Sequence, residues 1–163
     1  MNLDALYREV IMAHHQNPQG RSPLDKVSAH AHGYNASCGD EFDVNIKVED
    51  NIVTGIQVDG HGCAISQAAG SMLSQVAVGL RVDLLQEVIG AFRDMLKTGE
   101  PNSNLPGDLP VLSGVSKFPV RIKCAALPMT TTLEAISHLA EISQSQRTNP
   151  QQDELPAKDH SAA

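Results

Sequence analysis

Residues 42–58 read FDVNIKVEDNIVTGIQV, and this stretch decides the fold. Apolar residues alternate with polar residues in its first half and again in its second half, as in strands that bury one face. The polar run Glu49–Asn51 separates the halves and suits a tight turn. The stretch therefore predicts an antiparallel β-hairpin. The residues expected on its buried face are Phe42, Val44, Ile46, Val48, Ile52, Ile56 and Val58.

Helical periodicity flanks the hairpin on both sides. Apolar residues at intervals of three and four predict amphipathic helices over residues 3–16, from residue 64 to a stop at Gly79, and over 82–97. A weaker pattern at 28–36 predicts a further short strand. Together these elements predict an α+β domain in which helices pack on a small antiparallel three-stranded sheet.

The C-terminal part of the chain contains a predicted helix break. Pro110 suits the first turn of a short helix. Pro128 lacks an amide hydrogen, so we expect it to break or bend the following helix, and the capping sequence TTLE at 131–134 would restart that helix to about residue 143. Beyond this point the chain is polar and rich in Gln, Ser, Asp and Pro. The sequence thus predicts a single domain over 1–143 and a disordered tail over 144–163.

Composition and charge argue against several classes of protein. With 163 residues, the chain is long enough to bury a core as one domain without a disulfide. A net charge of −7 leaves no excess of Lys and Arg for phosphates, so we expect no nucleic-acid partner. No stretch approaches the ~20 apolar residues of a membrane span, and the first residues lack an apolar signal core. We therefore expect no membrane association and a cytoplasmic location.

Three widely spaced cysteines are the candidate chemical groups. An odd number at these spacings does not resemble a disulfide framework, and a reducing compartment favours thiols or metal ligands. Cys38 and Asp40 flank Gly39, which permits a tight turn, while Cys63 and Cys124 lie near predicted helix starts, where the dipole favours thiolate. Three sulfurs and one carboxylate suit zinc or an iron–sulfur cluster. The plainer alternative is that each cysteine is a small buried residue.

Histidines offer a rival metal site. His30 and His32 would face the same side of a strand and could act as a pair of ligands. His61 lies two residues before Cys63 and could compete for a metal there. For each histidine in the chain, a surface or capping role is the simpler expectation.

Four separated motifs resemble one known family. They are LYREVIMAHHQNP at 6–18, CGD at 38–40, GHGCAIS at 60–66 and LSGVSKFPVRIKCAAL at 112–127. In order and spacing they resemble the SufU-type members of the IscU/NifU N-terminal-like superfamily, which are iron–sulfur cluster assembly proteins. The resemblance covers about residues 3–140 and implies a SufE/NifU-like sandwich, in agreement with the α+β prediction.

The resemblance also implies a site and a function. It implies a metal site formed by Cys38, Asp40, Cys63 and Cys124, with zinc as the metal. It implies a zinc-dependent sulfurtransferase of the SUF system, which accepts persulfide sulfur from a PLP-containing, SufS-type cysteine desulfurase and activates that enzyme. In this role Cys38 accepts the sulfur, Asp40 tunes the site, and Arg121 acts near the site or the partner. Other SUF assembly components are the further partners that it implies.

Two other functions use the same residues. The first is a scaffold that builds and transfers a [2Fe–2S] cluster. Scaffold-type relatives carry histidine directly before the last cysteine, where this chain has Lys123, and they have a shorter segment between their second and third cysteines. The second is a structural zinc site in a docking module, which would unfold without its metal.

The chain departs from the SufU-type pattern at three places. It has Asn-Ala-Ser at 35–37 where the family often has Asn-Pro-Thr, and Met129 where a tryptophan is frequent. His61 stands where relatives are often acidic, which makes its relation to the metal the open point of the ligand set.

Overall fold

A computed structural model describes the backbone of residues 3–148 and the side chains of residues 5–142. The elements follow in the order α1 (Leu3–Gln16), β1 (Ala29–Asn35), β2 (Asp40–Glu49), β3 (Ile52–His61), α2 (Ala64–Ala77), α3 (Val82–Thr98), a 3₁₀ helix (Leu109–Lys117) and α4 (Pro119–Thr148). The strands form one antiparallel sheet in the order β1–β2–β3. This confirms the predicted α+β class and the three-stranded sheet.

A two-residue turn closes the β2–β3 hairpin. Asp50 and Asn51 have φ values of 54° and 63°, in the left-handed region that Asp and Asn tolerate better than most residues with a side chain. Two successive positive φ values give the turn a twist that matches the flanking strands. The hairpin predicted from the sequence is therefore present, and Ile46 pairs with Ile56 across it.

The prediction that Ile52 lies on the buried face of the hairpin is wrong. Ile52 is 38% exposed, whereas Val53 is fully buried. The strand register shifts between Lys47 and Val48, and Val48 pairs with Val53, which leaves Thr54 as an extra residue on β3. Because a β-bulge reverses the alternation of side chains beyond it, the buried position moves by one residue.

The helices cover one face of the sheet. α4 packs on β1 and β2, α2 packs on β3 and α4, and α1 packs on α2. The core is built almost entirely of aliphatic side chains and methionines, with Phe42 and Phe92 as its buried aromatic rings. The other face of the sheet carries mainly polar side chains, and Leu24 from the loop before β1 packs against it near Gly55. Among the residues that the model describes, no helix combines the length and apolar character that crossing a membrane requires.

α4 is one continuous helix, and this corrects two predictions. It spans Pro119–Thr148 with Pro128 inside it. We expected Pro128 to break or bend the helix, and a break is wrong. The sequence TTLE at 131–134 lies within the helix instead of starting one. The helix also continues past the predicted end near residue 143. The remainder of the predicted tail, residues 149–163, lies outside the described residues.

Packing explains why α4 continues through the proline. Pro128 is buried where α4 crosses α2, and a Cβ on Gly70 of α2 would lie 3.7 Å from Pro128 Cγ. The missing side chain at Gly70 lets the two helices approach closely. Burial of Pro128 and of the neighbouring Met129 offsets the ~3 kcal/mol that an interior proline costs. Pro128 also supplies no amide hydrogen to the carbonyl of Cys124, four residues earlier.

Candidate metal centre

The turn between β1 and β2 brings Cys38 and Asp40 to one place. The amides of Cys38 and Gly39 both donate to the carbonyl of Asn35, at 3.3 and 2.8 Å. Gly39 has a φ of 72°, which a residue with a Cβ seldom adopts. The amide of Ser37 donates to Asn35 Oδ1 at 3.3 Å, so a side chain also stabilises the turn. The tight turn predicted from Gly39 is confirmed.

The remaining two cysteines come from the starts of helices. Cys63 directly precedes α2, and Cys124 lies near the start of α4. Ligand atoms of Cys38, Asp40 and Cys124 all lie within 4.8 Å of one another, and the Sγ atoms of Cys38 and Cys124 are 3.1 Å apart. Cys63 lies outside this 4.8 Å group. Cys63 helps to raise the pKa of the Cys124 thiol, so it lies near the group at the start of α2.

Asp40 is fully buried and surrounded by hydrogen-bond donors. The amide of Cys63 donates to its Oδ1 at 2.9 Å, and the hydroxyl of Ser66 lies 3.2 Å from the same oxygen. The side-chain amide of Asn35 lies 3.4 Å from Oδ2. Burial by itself raises the pKa of Asp40, but the hydrogen bonds from Cys124, Cys63, Ser66 and Asn35 together hold that pKa below its usual value. Asp40 is therefore a carboxylate inside the protein.

Cys124 carries the opposite perturbation. Burial raises the pKa of its thiol far above the usual value, and hydrogen bonds to Asp40 and Cys38 and the nearby Cys63 raise it further. The carboxylate of Asp40 and the sulfurs of Cys38 and Cys124 thus lie close together. A proton that stays on Cys124 keeps the negative charge of this buried group low. A metal cation would take the place of that proton. Three thiols and one carboxylate are donors that zinc accepts, so the residues present fit this metal.

Arg121 lies at the edge of the thiol group. Its Nη1 is 4.0 Å from Cys38 Sγ. The hydrogen bond to Cys124 and the charges of Cys63 and Cys124 raise the pKa of Arg121 further above its usual value. Lys123, two residues further along α4, is also exposed. Arg121 is thus a fixed positive charge beside the most accessible part of the site.

The rival histidines lie on the outer face of the sheet, paired with carboxylates. His30 Nε2 and His32 Nδ1 each lie 3.0 Å from Asp43 Oδ1, and His32 Nε2 lies 3.0 Å from Glu41 Oε1. His61 Nε2 is 3.9 Å from Glu41 Oε2 and its side chain is 74% exposed. Among the described residues, only the thiol group brings three ligand atoms within 4.8 Å. The histidines therefore form surface ion pairs here, and His61 lies apart from the thiols.

We expect Asp43→Asn to lower the pKa of His32. The hydrogen bond that His32 donates to Asp43 is the main cause of the raised pKa of His32, followed by the charges of Asp43 and Glu41. Proton NMR titration of the imidazole measures the change. Because the folded-state pKa is raised, the stabilisation is complete below the ordinary pKa of about 6.5 and is lost as pH rises through the folded value. Asp43→Asn should therefore destabilise the protein more at pH 5 than at pH 9.

A matched control removes a surface carboxylate elsewhere. Asp83 pairs with Arg81 at 3.0 Å, so Asp83→Asn should leave the His32 titration unchanged. If Asp43→Asn left the pKa of His32 unchanged, the assigned interaction between His32 and Asp43 would be refuted.

Two residues that complete the site were missed by sequence reasoning. Ser66 and Asn35 are not metal ligands, yet both contact the carboxylate of Asp40. Ser66 lies three residues after Cys63, on the first turn of α2, where a hydroxyl can reach back to groups around the helix start. That spacing is the signal from which Ser66 could have been proposed.

His14 was also misjudged, because it is buried and not a surface or capping residue. Its side chain is 7% exposed, and its two ring nitrogens lie 2.7 Å from Ser71 Oγ and 2.8 Å from Asp108 Oδ2. It thereby joins α1 to α2 and to the loop before the 3₁₀ helix. Its position on the apolar face of α1 was the available signal.

Comparisons with known proteins find a matching family model and similar chains. The chain matches the family model of the NifU-like N-terminal domain over residues 6–125. It is 39% identical over 128 residues to the zinc-dependent sulfurtransferase SufU of Bacillus subtilis, which covers 77% of this chain and 86% of the relative. It is 30% identical over 135 residues to the iron–sulfur cluster assembly scaffold protein IscU of Thermotoga maritima, covering 83% of this chain and 95% of the relative.

A solved structure supports the same fold. A crystal structure of an iron–sulfur cluster assembly scaffold protein for the SUF system, from Fervidobacterium islandicum, superposes with a TM-score of 0.73. That protein is 27% identical, and the match covers 78% of this chain and 93% of the other. The three-stranded sheet with its helices is thus shared with iron–sulfur assembly proteins.

Proposed function

This chain belongs to the NifU-like N-terminal domain family, and within that family we propose that it is a zinc-dependent sulfurtransferase of iron–sulfur cluster assembly. The observation that carries the proposal is the convergence of Cys38, Asp40 and Cys124 within 4.8 Å, with Cys63 beside them. The 39% identity to a zinc-dependent sulfurtransferase supports the choice of chemistry.

The proposed zinc ligands are Cys38, Asp40, Cys63 and Cys124. Zinc, when bound, supplies the positive charge that keeps such thiols deprotonated at neutral pH. The chain itself contributes a buried carboxylate that is already ionised and a buried thiol that is hard to ionise alone. The lowered pKa of Asp40 and the raised pKa of Cys124 are both expected at a site that binds a cation.

Cys38 is the proposed sulfur acceptor. It lies on the β1–β2 turn and is partly exposed, whereas Cys124 is buried. The Cys38 thiolate attacks the terminal sulfur of a persulfide on the partner enzyme. The sulfur–sulfur bond breaks, the partner's cysteine leaves as a thiolate, and Cys38 becomes the persulfide, so no oxidant or reductant is consumed. Arg121, 4.0 Å from Cys38 Sγ, balances the negative charge that moves through the site.

The proposed partner is a SufS-type, PLP-containing cysteine desulfurase. Three large apolar side chains are exposed next to site residues in the chain: Tyr34 at 60%, Phe118 at 52% and Val120 at 66%. They are direct or near neighbours of Asn35 and Arg121. Exposed aromatic and aliphatic groups beside an arginine are typical of the central part of a protein interface. This surface supports docking of the enzyme around Cys38.

Native mass spectrometry of protein purified without oxygen tests the proposal. We expect one zinc per chain and no iron or sulfide. After addition of the desulfurase and cysteine, we expect the mass of one additional sulfur on Cys38, located by peptide mapping. Protein that retains no zinc and never gains sulfur would refute the proposal.

A scaffold function is the second candidate. The 30% identity to IscU of Thermotoga maritima and the similarity to the SUF scaffold structure favour it. The same four ligands would hold a [2Fe–2S] cluster. Lys123, which replaces the histidine of scaffold-type relatives, argues against it. Two irons and two sulfides in the same mass spectrum would establish the scaffold function instead.

A docking module with a structural zinc makes a different prediction. Removal of the metal would then unfold the domain, and no cysteine would ever gain sulfur. A thermal melt of the chelator-treated protein separates this alternative from sulfur transfer. The sheet and helices pack a core that does not involve the thiols, so we expect the fold to survive metal removal.

A further inference from the structure

Ser66 is a fully buried hydroxyl that the sulfur-transfer chemistry does not use. Its Oγ lies 3.2 Å from Asp40 Oδ1 and 3.0 Å from the carbonyl oxygen of Cys63. The thiol of Cys63 donates to the same Oγ at 3.8 Å. A hydroxyl has a single hydrogen to donate, so Ser66 serves one of the two oxygen acceptors at a time. If the acceptor is Asp40, Ser66 orients a proposed metal ligand, and if it is the carbonyl of Cys63, Ser66 only stabilises the start of α2.

The charge of Asp40 favours it as the acceptor, since each of the two oxygens already accepts one backbone amide. The carbonyl of Cys63 accepts the amide of Gln67 at 3.0 Å, as expected at a helix start. Asp40 is a buried carboxylate, and hydrogen bonds to a charged acceptor are roughly twice as strong as bonds to a neutral one. The hydrogen of Ser66 therefore belongs mainly to Asp40 Oδ1.

The two oxygens of Asp40 consequently differ. Oδ1 accepts two hydrogen bonds from the start of α2, the amide of Cys63 at 2.9 Å and the hydroxyl of Ser66. The side-chain amide of Asn35 is a more distant partner of Oδ2, at 3.4 Å. One oxygen is thus held by the protein framework, and the other is left for a ligand role.

We propose that Ser66 is a positioning residue that holds Asp40 Oδ1, so that Asp40 offers a single oxygen to zinc. This inference rests on the proposed ligand set and deepens it. Groups that hydrogen-bond a metal ligand from behind fix its orientation, and their removal commonly lowers metal affinity by roughly 10- to 100-fold. A carboxylate restrained in this way binds as a single, weak oxygen ligand beside three sulfurs.

A double-mutant cycle with zinc alone tests the proposal. We expect Ser66→Ala to weaken zinc binding by roughly 10- to 100-fold, measured by competition with a chromophoric chelator on the full chain. In the Asp40→Ala background the same substitution should change the affinity by less than about twofold, because the group through which Ser66 acts is gone. Equal losses in the two backgrounds would show a general structural role and overturn the proposal, as would no loss in either.

Ser74 provides the matched control. It is also a buried serine on α2, and its hydroxyl donates to the carbonyl of Gly70 at 2.8 Å, far from the ligands along the helix. Ser74→Ala should leave zinc affinity unchanged. Thermal unfolding of each variant establishes that the affinities compare folded proteins.

A measurement on the wild type does not depend on any variant. X-ray absorption of the zinc-loaded chain should show one oxygen at about 2.0–2.2 Å with sulfur neighbours. Two oxygens from the carboxylate, or none, would overturn the proposal. Neither measurement involves the desulfurase, so sulfur transfer could fail while these results stand.

Discussion

Replacing Cys38 with alanine will abolish sulfur transfer to this protein while its fold remains. Cys38 is partly exposed on a turn, and the turn is held by backbone bonds to Asn35 and by Gly39, none of which needs the thiol. Its sulfur is the acceptor atom itself, so no other group substitutes for it. We expect stimulation of the desulfurase to be abolished, so that its rate falls to that of the enzyme without this protein.

The experiment measures alanine and sulfide production by the desulfurase with each variant added, together with sulfur bound to the chain. Ser37→Ala is the matched control, because Ser37 is the exposed neighbour whose amide, not its hydroxyl, contacts Asn35. It should stimulate as the wild type does. Full stimulation by Cys38→Ala would show that the protein activates the enzyme by binding alone.

The hairpin and the helices could be predicted because their signals are local. The alternation in β2 and β3 and the Asp50–Asn51 turn are read within a few residues, and so is the periodicity of α3. Ile52 was placed on the wrong face because a bulge is a property of two paired strands. Pro128 was taken as a break because its compensation comes from Gly70, a residue of another helix.

The site, too, has a part that the sequence could predict and a part that it could not. The cysteines and Asp40 could be named from residue types and from the family resemblance. Their convergence could not be derived from spacing, because Cys124 reaches Cys38, and Cys63 comes near Cys124, only through the packing of α2 and α4 on the sheet. Ser66 was missed for the same reason: a serine on a helix has many uses, and only the position of Asp40 gives this one its role.

Gly62→Ala will remove most of the zinc affinity of the protein. Gly62 connects the end of β3 to the start of α2, and a Cβ there would overlap both Asp40 Oδ1 and Ser66 Oγ and lie 3.0 Å from Asp40 Cγ. The backbone of Gly62 does not have a positive φ, so space and not conformation is what excludes alanine. Asp40 is fully buried and has no room to retreat.

The expected size of the effect follows from the loss of both groups. Displacing the ligand and its positioning hydroxyl together should weaken zinc binding by roughly a hundredfold or more. Overpacking a filled interior should also lower the free energy of unfolding by about 1–3 kcal/mol. Chelator competition gives the affinity, and urea unfolding of the metal-free protein gives the stability.

Gly90→Ala separates this effect from a general intolerance of alanine. Gly90 lies inside α3, and a Cβ there would meet no atom within 4 Å. Alanine in place of glycine within a helix should raise the free energy of unfolding by about 0.5–1 kcal/mol and leave zinc affinity unchanged. If Gly62→Ala also bound zinc as tightly as the wild type, Asp40 would be free to move without loss, and its assignment as a positioned ligand would be wrong.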